Sequence, residues 1–210
     1  MIRIAIADDH AVMRAGLRAL LADEIDFHVV AEANNGQEAQ DIAAKGEVDV
    51  MLMDISMPNQ SGIEALAAIR AMRSNLPILI LSCYATEHYA PVLMRQGANG
   101  YLNKSGDPGE IINAIRTVFR GRKYIPPEIG HRVMGKSGTP DAKPLHEQLS
   151  ARELQVFLAL AQGDGIGHLA KKTELSVKTI STYRTRVLEK MHLESNSDLT
   201  HYALMNGLIN

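Results

Sequence analysis

The chain has 210 residues, 46% of them hydrophobic and 22% charged, with a formal net charge of −2 and a single cysteine, Cys83. That length accommodates two small domains or one of medium size, and nothing in the composition marks a disordered chain. No apolar run approaches the roughly 20 residues that a spanning helix needs, an internal disulfide is excluded, and a reducing cytoplasm fits.

The N-terminus, MIRIAIADDH, meets acids within ten residues and does not read as a signal peptide. Residues 2–7 read as a short strand that ends in Asp8-Asp9. An amphipathic helix is expected from about Ala11 to Ala22, with Val12, Leu17, Leu20 and Leu21 at helical spacing. His28–Ala33 reads as a second strand, Asn34-Asn35-Gly36 as a turn and Gln37–Ala44 as a helix. Val50-Met51-Leu52-Met53 is a third, apolar strand; it runs into Asp54 and a turn built by Pro58 and Gly62. Ile63–Arg73, with Ile63, Leu66, Ala67 and Ile69, reads as a helix, Ile78–Ser82 as the fourth strand, and Cys83 as a small packed residue beside it. Ala85–Gln96 is a helix that Gly97 terminates, and Gly100-Tyr101-Leu102 is a fifth strand closing at Lys104. Asp107, Pro108 and Glu110 are helix-start residues for a last helix whose apolar stripe is Ile111, Ile112, Ile115, Val118 and Phe119.

Five strands alternating with five helices predict an α/β, doubly wound parallel sheet in the flavodoxin-like order 2-1-3-4-5 over residues 1–122. Residues 123–147, which include GKSGTPDAKP, read as a linker. Residues 148–210 read as an all-α domain of four helices: one capped by Ser150, a short one near Gly167–Thr173, one capped by Ser176 over Val177–Met191, and one begun by Ser197. Residues 1–126 carry a net −3 and residues 150–210 a net +1, which permits nucleic-acid binding at the C-terminus without demanding it.

The chemistry concentrates at strand ends. Asp8 and Asp9 follow strand one and Asp54 follows strand three, and in the predicted order these strands are neighbours. Three carboxylates close together raise one another's pKa. A divalent cation such as Mg²⁺, which takes a few carboxylates plus waters and phosphate oxygens, removes that penalty. Ser82 adds a hydroxyl at the end of strand four and Lys104 a positive charge at the end of strand five. For any one of these residues an ordinary polar loop is the better reading; for the whole set in this order, a phosphoryl-accepting site built on Asp54 is better.

Asp8-Asp9, Asp54-x-x-Met57-Pro58 with Gly62, Ser82 and Lys104 together resemble the receiver domain of bacterial two-component response regulators. The resemblance implies that Asp54 is phosphorylated by a sensor histidine kinase or a phosphotransfer domain. It implies that Asp9, Asp54 and the backbone carbonyl of Ser56 hold Mg²⁺, with Asp8 helping through water. Ser82 and Lys104 would bind the phosphoryl oxygens, and Tyr101 would be the switch aromatic. The family commonly has proline after the lysine; here Ser105 follows, which predicts a less constrained loop.

Residues 148–208 resemble the LuxR/NarL-type helix-turn-helix, which implies a NarL/FixJ-type transcription regulator that binds promoter half-sites as a homodimer. At 100° per residue, Ile180, Tyr183, Val187 and Met191 share one face and Lys178, Ser181, Thr182 and Thr185 the other, with Arg186 at its edge. The polar face suits a major groove: Lys178, Arg184 and Arg186 reach phosphates, and Ser181, Thr182 and Thr185 reach base edges or thymine methyls. Ser181 and Tyr183 stand where the family usually has lysine and histidine, and the glycines 163, 165 and 167 predict a short preceding helix. Leu199, Ala203 and Leu204 read either as a dimer surface or as core. RNA polymerase is a further candidate partner. The reading is of a non-enzyme; an Mg²⁺-dependent aspartyl-nucleophile phosphatase and a regulator that works without phosphorylation are the alternatives.

Overall fold

A computed structural model of the chain describes residues 1–72, 75–83, 86–125 and 144–209. The chain divides into two compact units, Met1–Gly135 and Lys136–Asn210. The first contains β1 (Ile2–Ala7), α1 (Ala11–Ala22), β2 (Phe27–Ala33), α2 (Gly36–Lys45), β3 (Val50–Asp54), α3 (Gly62–Ala71), β4 (Ile78–Ser82), α4 (Thr86–Arg95), β5 (Gly100–Asn103) and α5 (Pro108–Phe119). The strands are all parallel, in the expected order β2-β1-β3-β4-β5.

β3 and β4 are buried at every residue, as a parallel sheet covered on both faces requires. Side chains alternate across the sheet. Ile4, Ile6, Val50, Leu52, Leu79, Leu81 and Leu102 pack with Leu17 and Leu21 of α1 and Ile111, Ala114, Ile115 and Val118 of α5. Their strand neighbours Met51, Met53, Ile78, Ile80 and Tyr101 are buried as well. The burial accounts for the fold: each fully buried large apolar side chain stabilises it by about 1.5–3 kcal/mol, and residues on both faces of the sheet contribute.

Several side chains lie elsewhere than the periodicity predicts. Val12 is 86% exposed, because the buried stripe of α1 runs through Leu17 and Leu21, with Met13 and Leu20 partly buried, and Val12 points away from it. Phe119 is half-exposed at the last residue of α5, and in α3 Ala65 is buried while Ala67 is exposed. Cys83 is exposed, not packed, because β4 ends one residue before it.

Most of the linker expected over 123–147 lies outside the described residues. At its start, the Tyr124 N–H donates to the Asn99 carbonyl at 2.8 Å and the residue bridges Gly100; at its end, Leu145–Gln148 forms a turn of 3-10 helix.

The second unit has four α-helices among its described residues: α6 (Ala151–Ala161), α7 (Ile166–Lys172), α8 (Val177–Met191) and α9 (Asn196–Met205). Serine caps start three of them. The Ser150 and Ser195 hydroxyls accept from the Glu153 and Asp198 amides in reciprocal capping boxes, and Ser176 accepts from the Thr179 amide. The last helix thus begins at Ser195, two residues ahead of the expected Ser197, because Asp198 sits three residues after Ser195 and returns its carboxylate to the Ser195 N–H. Leu154, Val156, Phe157 and Leu160 of α6 are buried with Ile180, Val187 and Met191 of α8 and Leu199 and Ala203 of α9. Leu199 and Ala203 therefore belong to the core, and only Leu204 and Met205 leave apolar surface on α9. Among the described residues no helix is long and apolar enough to cross a membrane.

Candidate functional site

Parallel pairing of β1 with β3 puts Ala7 beside Met53, so the next residue of each strand exit, Asp8 and Asp54, emerges at the same sheet edge. Both are buried. Asp8, Asp9, His10 and Asp54 each offer a ligand atom, all within 4.8 Å of one another, the metal-capable cluster found among the described residues. Lys104 reaches in from the end of β5, its Nζ 2.7 Å from Asp8 Oδ2 and 3.0 Å from Asp54 Oδ2. Its backbone is fixed by a 2.9 Å hydrogen bond from the Lys104 N–H to the Ser82 carbonyl. The Lys104–Asp8 contact is a close, buried ion pair.

Burial pushes the Asp54 carboxyl above the usual carboxylate range, and the charge of Asp8 adds to the push; Lys104 and the Ser56 backbone pull the other way. For Lys104 burial acts to lower the pKa, but contact with Asp8 and Asp54 outweighs it and the ammonium is held more firmly than usual. The pocket therefore carries two buried acids against one buried base, with Asp9 at its rim. Buried Asp8 Oδ2 faces the Lys104 ammonium and buried Asp9 Oδ1 faces the His10 imidazole, each as an ion-pair contact. Such oxygens, gathered on one side of the sheet edge, fit a hard divalent cation. The receiver family conventionally uses Mg²⁺ at an acidic pocket of this kind.

The turn after β3 owes its shape to one glycine. A Cβ on Gly62 would overlap the Asp54 carbonyl oxygen, so only glycine lets the start of α3 close over the strand end, where the Gly62 N–H bonds to the Ile55 carbonyl at 3.0 Å. Ser61 then caps α3 in a capping box with Glu64. Ser56, the expected carbonyl ligand, is exposed on this turn. Ser82 is buried one step beyond Leu81, the residue in register with Asp54. Tyr101 is wholly buried and in register with Ile80, two residues before Ser82. After Lys104 the chain is not loose: Asn103 Oδ1 accepts from both the N–H and the hydroxyl of Ser105, at 2.9 and 2.6 Å. An asparagine side chain thus restrains the loop that a proline ring commonly restrains in the family.

Sequence reasoning missed His10. Its Nδ1 lies 2.8 Å from Asp9 Oδ1 and 3.2 Å from Asp8 Oδ1, and its N–H donates to Asp8 Oδ1 at 2.8 Å. The available signal was an imidazole directly following two acids in the same loop.

In the second unit, α8 buries Ile180, Val187, Leu188 and Met191 and leaves Lys178, Thr182, Thr185 and Arg186 exposed, with Ser181 and Tyr183 half-exposed. The hydroxyls of Ser181, Thr182 and Thr185 donate to the carbonyls of Val177, Lys178 and Ser181 one turn back. Arg184 differs from the other expected cations: it is half-buried, and its Nε donates to Asn196 Oδ1 at 2.7 Å, tying α8 to α9. Val177, at the first turn, is an exposed apolar residue that sequence reasoning passed over.

The response regulator receiver domain family matches residues 4–116, and the family of bacterial regulatory proteins of the luxR type matches residues 147–203. The response regulator UvrY of Escherichia coli strain K12 is 35% identical over 211 residues, covering 100% of this chain and 97% of that protein. The oxygen regulatory protein NreC of Staphylococcus carnosus strain TM300 is 36% identical, covering 99% of each chain. The crystal structure of the response regulator ChrA of a heme-sensing two-component system is similar at 33% identity and a TM-score of 0.54, covering 99% of this chain and 98% of that one.

Proposed function

Because the chain belongs to the response regulators that join a receiver domain to a LuxR-type DNA-binding domain, we propose that Asp54 is its phosphoacceptor and that the charge gained there governs promoter binding by α8. The observation that carries this reading is the Lys104 ammonium held between buried Asp8 and Asp54 at one sheet edge. On this reading the units correspond to a receiver over 1–122 and a DNA-binding domain over 148–210, joined by 123–147.

An Asp54 carboxylate oxygen attacks the phosphorus of a phosphohistidine on a sensor kinase or phosphotransfer domain. The P–O bond forms as the P–N bond breaks, and the histidine leaves. Asp8, Asp9, Asp54 and the Ser56 carbonyl would hold Mg²⁺, which when bound offsets the charge on the phosphoryl oxygens. Lys104, already 3.0 Å from Asp54, pairs with the new phosphoryl oxygens. The Ser82 hydroxyl donates to one of them, and Tyr101 follows its movement. The pocket thereby stores a charge and does not turn over a substrate.

The match of residues 147–203 to the luxR family of bacterial regulatory proteins supports DNA as the target; a homodimer reading paired half-sites, RNA polymerase as a further partner and the cytoplasm as the place of work complete the proposal. Lys178 and Arg186 supply phosphate contacts with Arg184 behind them, and Ser181, Thr182 and Thr185 face the bases. The test is incubation with Mg²⁺ and a small phosphoryl donor, read on a phosphate-affinity gel. A shifted band is expected for wild type and none for Asp54→Asn; a shift in that variant would assign the acceptor elsewhere.

A further inference from the structure

We infer that Val177 is a base-reading residue: its isopropyl group meets the C5-methyl of a thymine in the major groove and selects that base at one position of each half-site. This rests on the reading of α8 as the DNA-facing helix and adds the chemistry of one of its contacts.

Val177 is an apolar residue outside the core of its own helix. Ile180, Val187 and Met191 of α8 are wholly buried and Leu188 is buried, whereas Val177 is 56% exposed. It is the first residue of α8. Helical side chains lean toward the helix N-terminus, and Val177 accordingly lines the cleft at the turn between α7 and α8, together with Gly167, Ala170 and Leu175. Lys171, His168 and one acid, Glu174, border the same cleft, and exposed Lys178 follows Val177. Apolar surface set among exposed cations, on the face that carries Thr182, Thr185 and Arg186, suits an anionic polymer with an apolar group on its edge.

The start of the helix points the same way. A helix N-terminus favours acids, and Glu153 and Asp198 take that place in α6 and α9. The first turn of α8, also capped by serine, has no acid and carries Val177 and Lys178. An acid there would oppose the phosphates of a bound duplex; a valine does not.

The base follows from the chemistry on offer. Residues at the N-terminal end of a recognition helix contact base edges. Ser181, four residues on, shares the face of Val177, and its hydroxyl donates to the Val177 carbonyl at 2.9 Å. The pair therefore presents an apolar group beside an oxygen whose proton is already given to the helix. The C5-methyl of thymine is the apolar group that base pairs display in the major groove.

The experiment uses the full chain and a duplex selected from random sequence by the protein. Each thymine of one half-site is replaced in turn by deoxyuridine, which lacks only the methyl. Fluorescence anisotropy is expected to show about fourfold weaker wild-type binding at the position that Val177 reads, the worth of one buried methyl. Val177→Ala is expected to bind the thymine duplex at least about fourfold more weakly. It is also expected to lose the response to uracil at that position alone, keeping the wild-type response elsewhere and an unchanged salt slope. A uracil response that is the same in both proteins at every position would overturn the assignment. Lys178→Ala separates the two levels. If it flattens the salt dependence while Val177→Ala keeps every uracil response, only Val177 is misassigned; if it leaves affinity and salt dependence unchanged, α8 does not face DNA and the role of Val177 falls with it.

Discussion

Lys104 Nζ lies 3.0 Å from an Asp54 carboxylate oxygen in a pocket that leaves about a twentieth of either side chain exposed. With Asp8 on the other flank of the ammonium, Lys104 compensates both buried acids. Replacing it by methionine leaves both acids uncompensated. Breaking a buried pair in this way costs on the order of 3 kcal/mol. We expect denaturant melts of Lys104→Met to show a loss of that order in the receiver, partly restored by Mg²⁺, which binds the folded form. A variant as stable as wild type without Mg²⁺ would contradict the pairing.

Two glycines predict opposite outcomes. A Cβ at Gly62 meets the backbone carbonyl of Asp54, which has nowhere to move, whereas a Cβ at Gly16 within α1 meets nothing within 4 Å. Gly62→Ala should destabilise the receiver by more than about 2 kcal/mol and weaken phosphorylation. Gly16→Ala should stabilise it by about 0.5–1 kcal/mol through helix propensity. Thermal melts of the two variants side by side check both signs.

The strand-end acids were legible because a parallel sheet buried on both faces leaves unbroken apolar runs, and a run such as Val50–Met53 announces where its polar end emerges. Lys104 was legible for the same reason. His10 was not, since an exposed histidine in a loop carries no periodic signal and only the fold shows that its ring meets Asp9. Arg184 looked like a phosphate contact on a wheel, but the wheel does not contain α9, whose Asn196 accepts its Nε hydrogen bond. Asn103 carried no signal of its own, because its restraint on Ser105 is a side-chain turn, set by three-dimensional closure and not by spacing.

Acid should weaken the second unit through Glu153. Burial works to raise its carboxyl, but Lys190 Nζ at 2.7 Å and the Ser150 N–H at 2.8 Å outweigh it and hold the folded pKa below the ordinary 4.5. A depressed carboxyl contributes stability above the unfolded pKa and loses it as pH falls through the folded value. The gap in melting temperature between wild type and Glu153→Gln should be widest at about pH 6 and should close as pH falls below 4.5. A gap independent of pH would remove the ion pair from the account.

On the DNA face, Lys178 and Arg186 are exposed cations. Lys178→Ala with Arg186→Ala should reduce the slope of log affinity against log salt by about 2 per bound subunit, roughly 0.9 per lost phosphate contact, for all sequences alike. Thr182→Ala or Thr185→Ala should alter base preference with little change in the salt slope. Arg184→Ala should lower stability more than it lowers the slope, because its Nε is given to Asn196. Fluorescence anisotropy over a salt series separates the three classes.

The measurement closest to the central claim is the DNA affinity of the full chain, with and without Mg²⁺ and a small phosphoryl donor, on a duplex selected from random sequence by the protein itself. If a charge added at Asp54 governs binding by α8, the donor changes the affinity of wild type several-fold and leaves Asp54→Asn unchanged. An equal donor response in both proteins, or no response in a wild type shown by gel to be phosphorylated, would contradict the account.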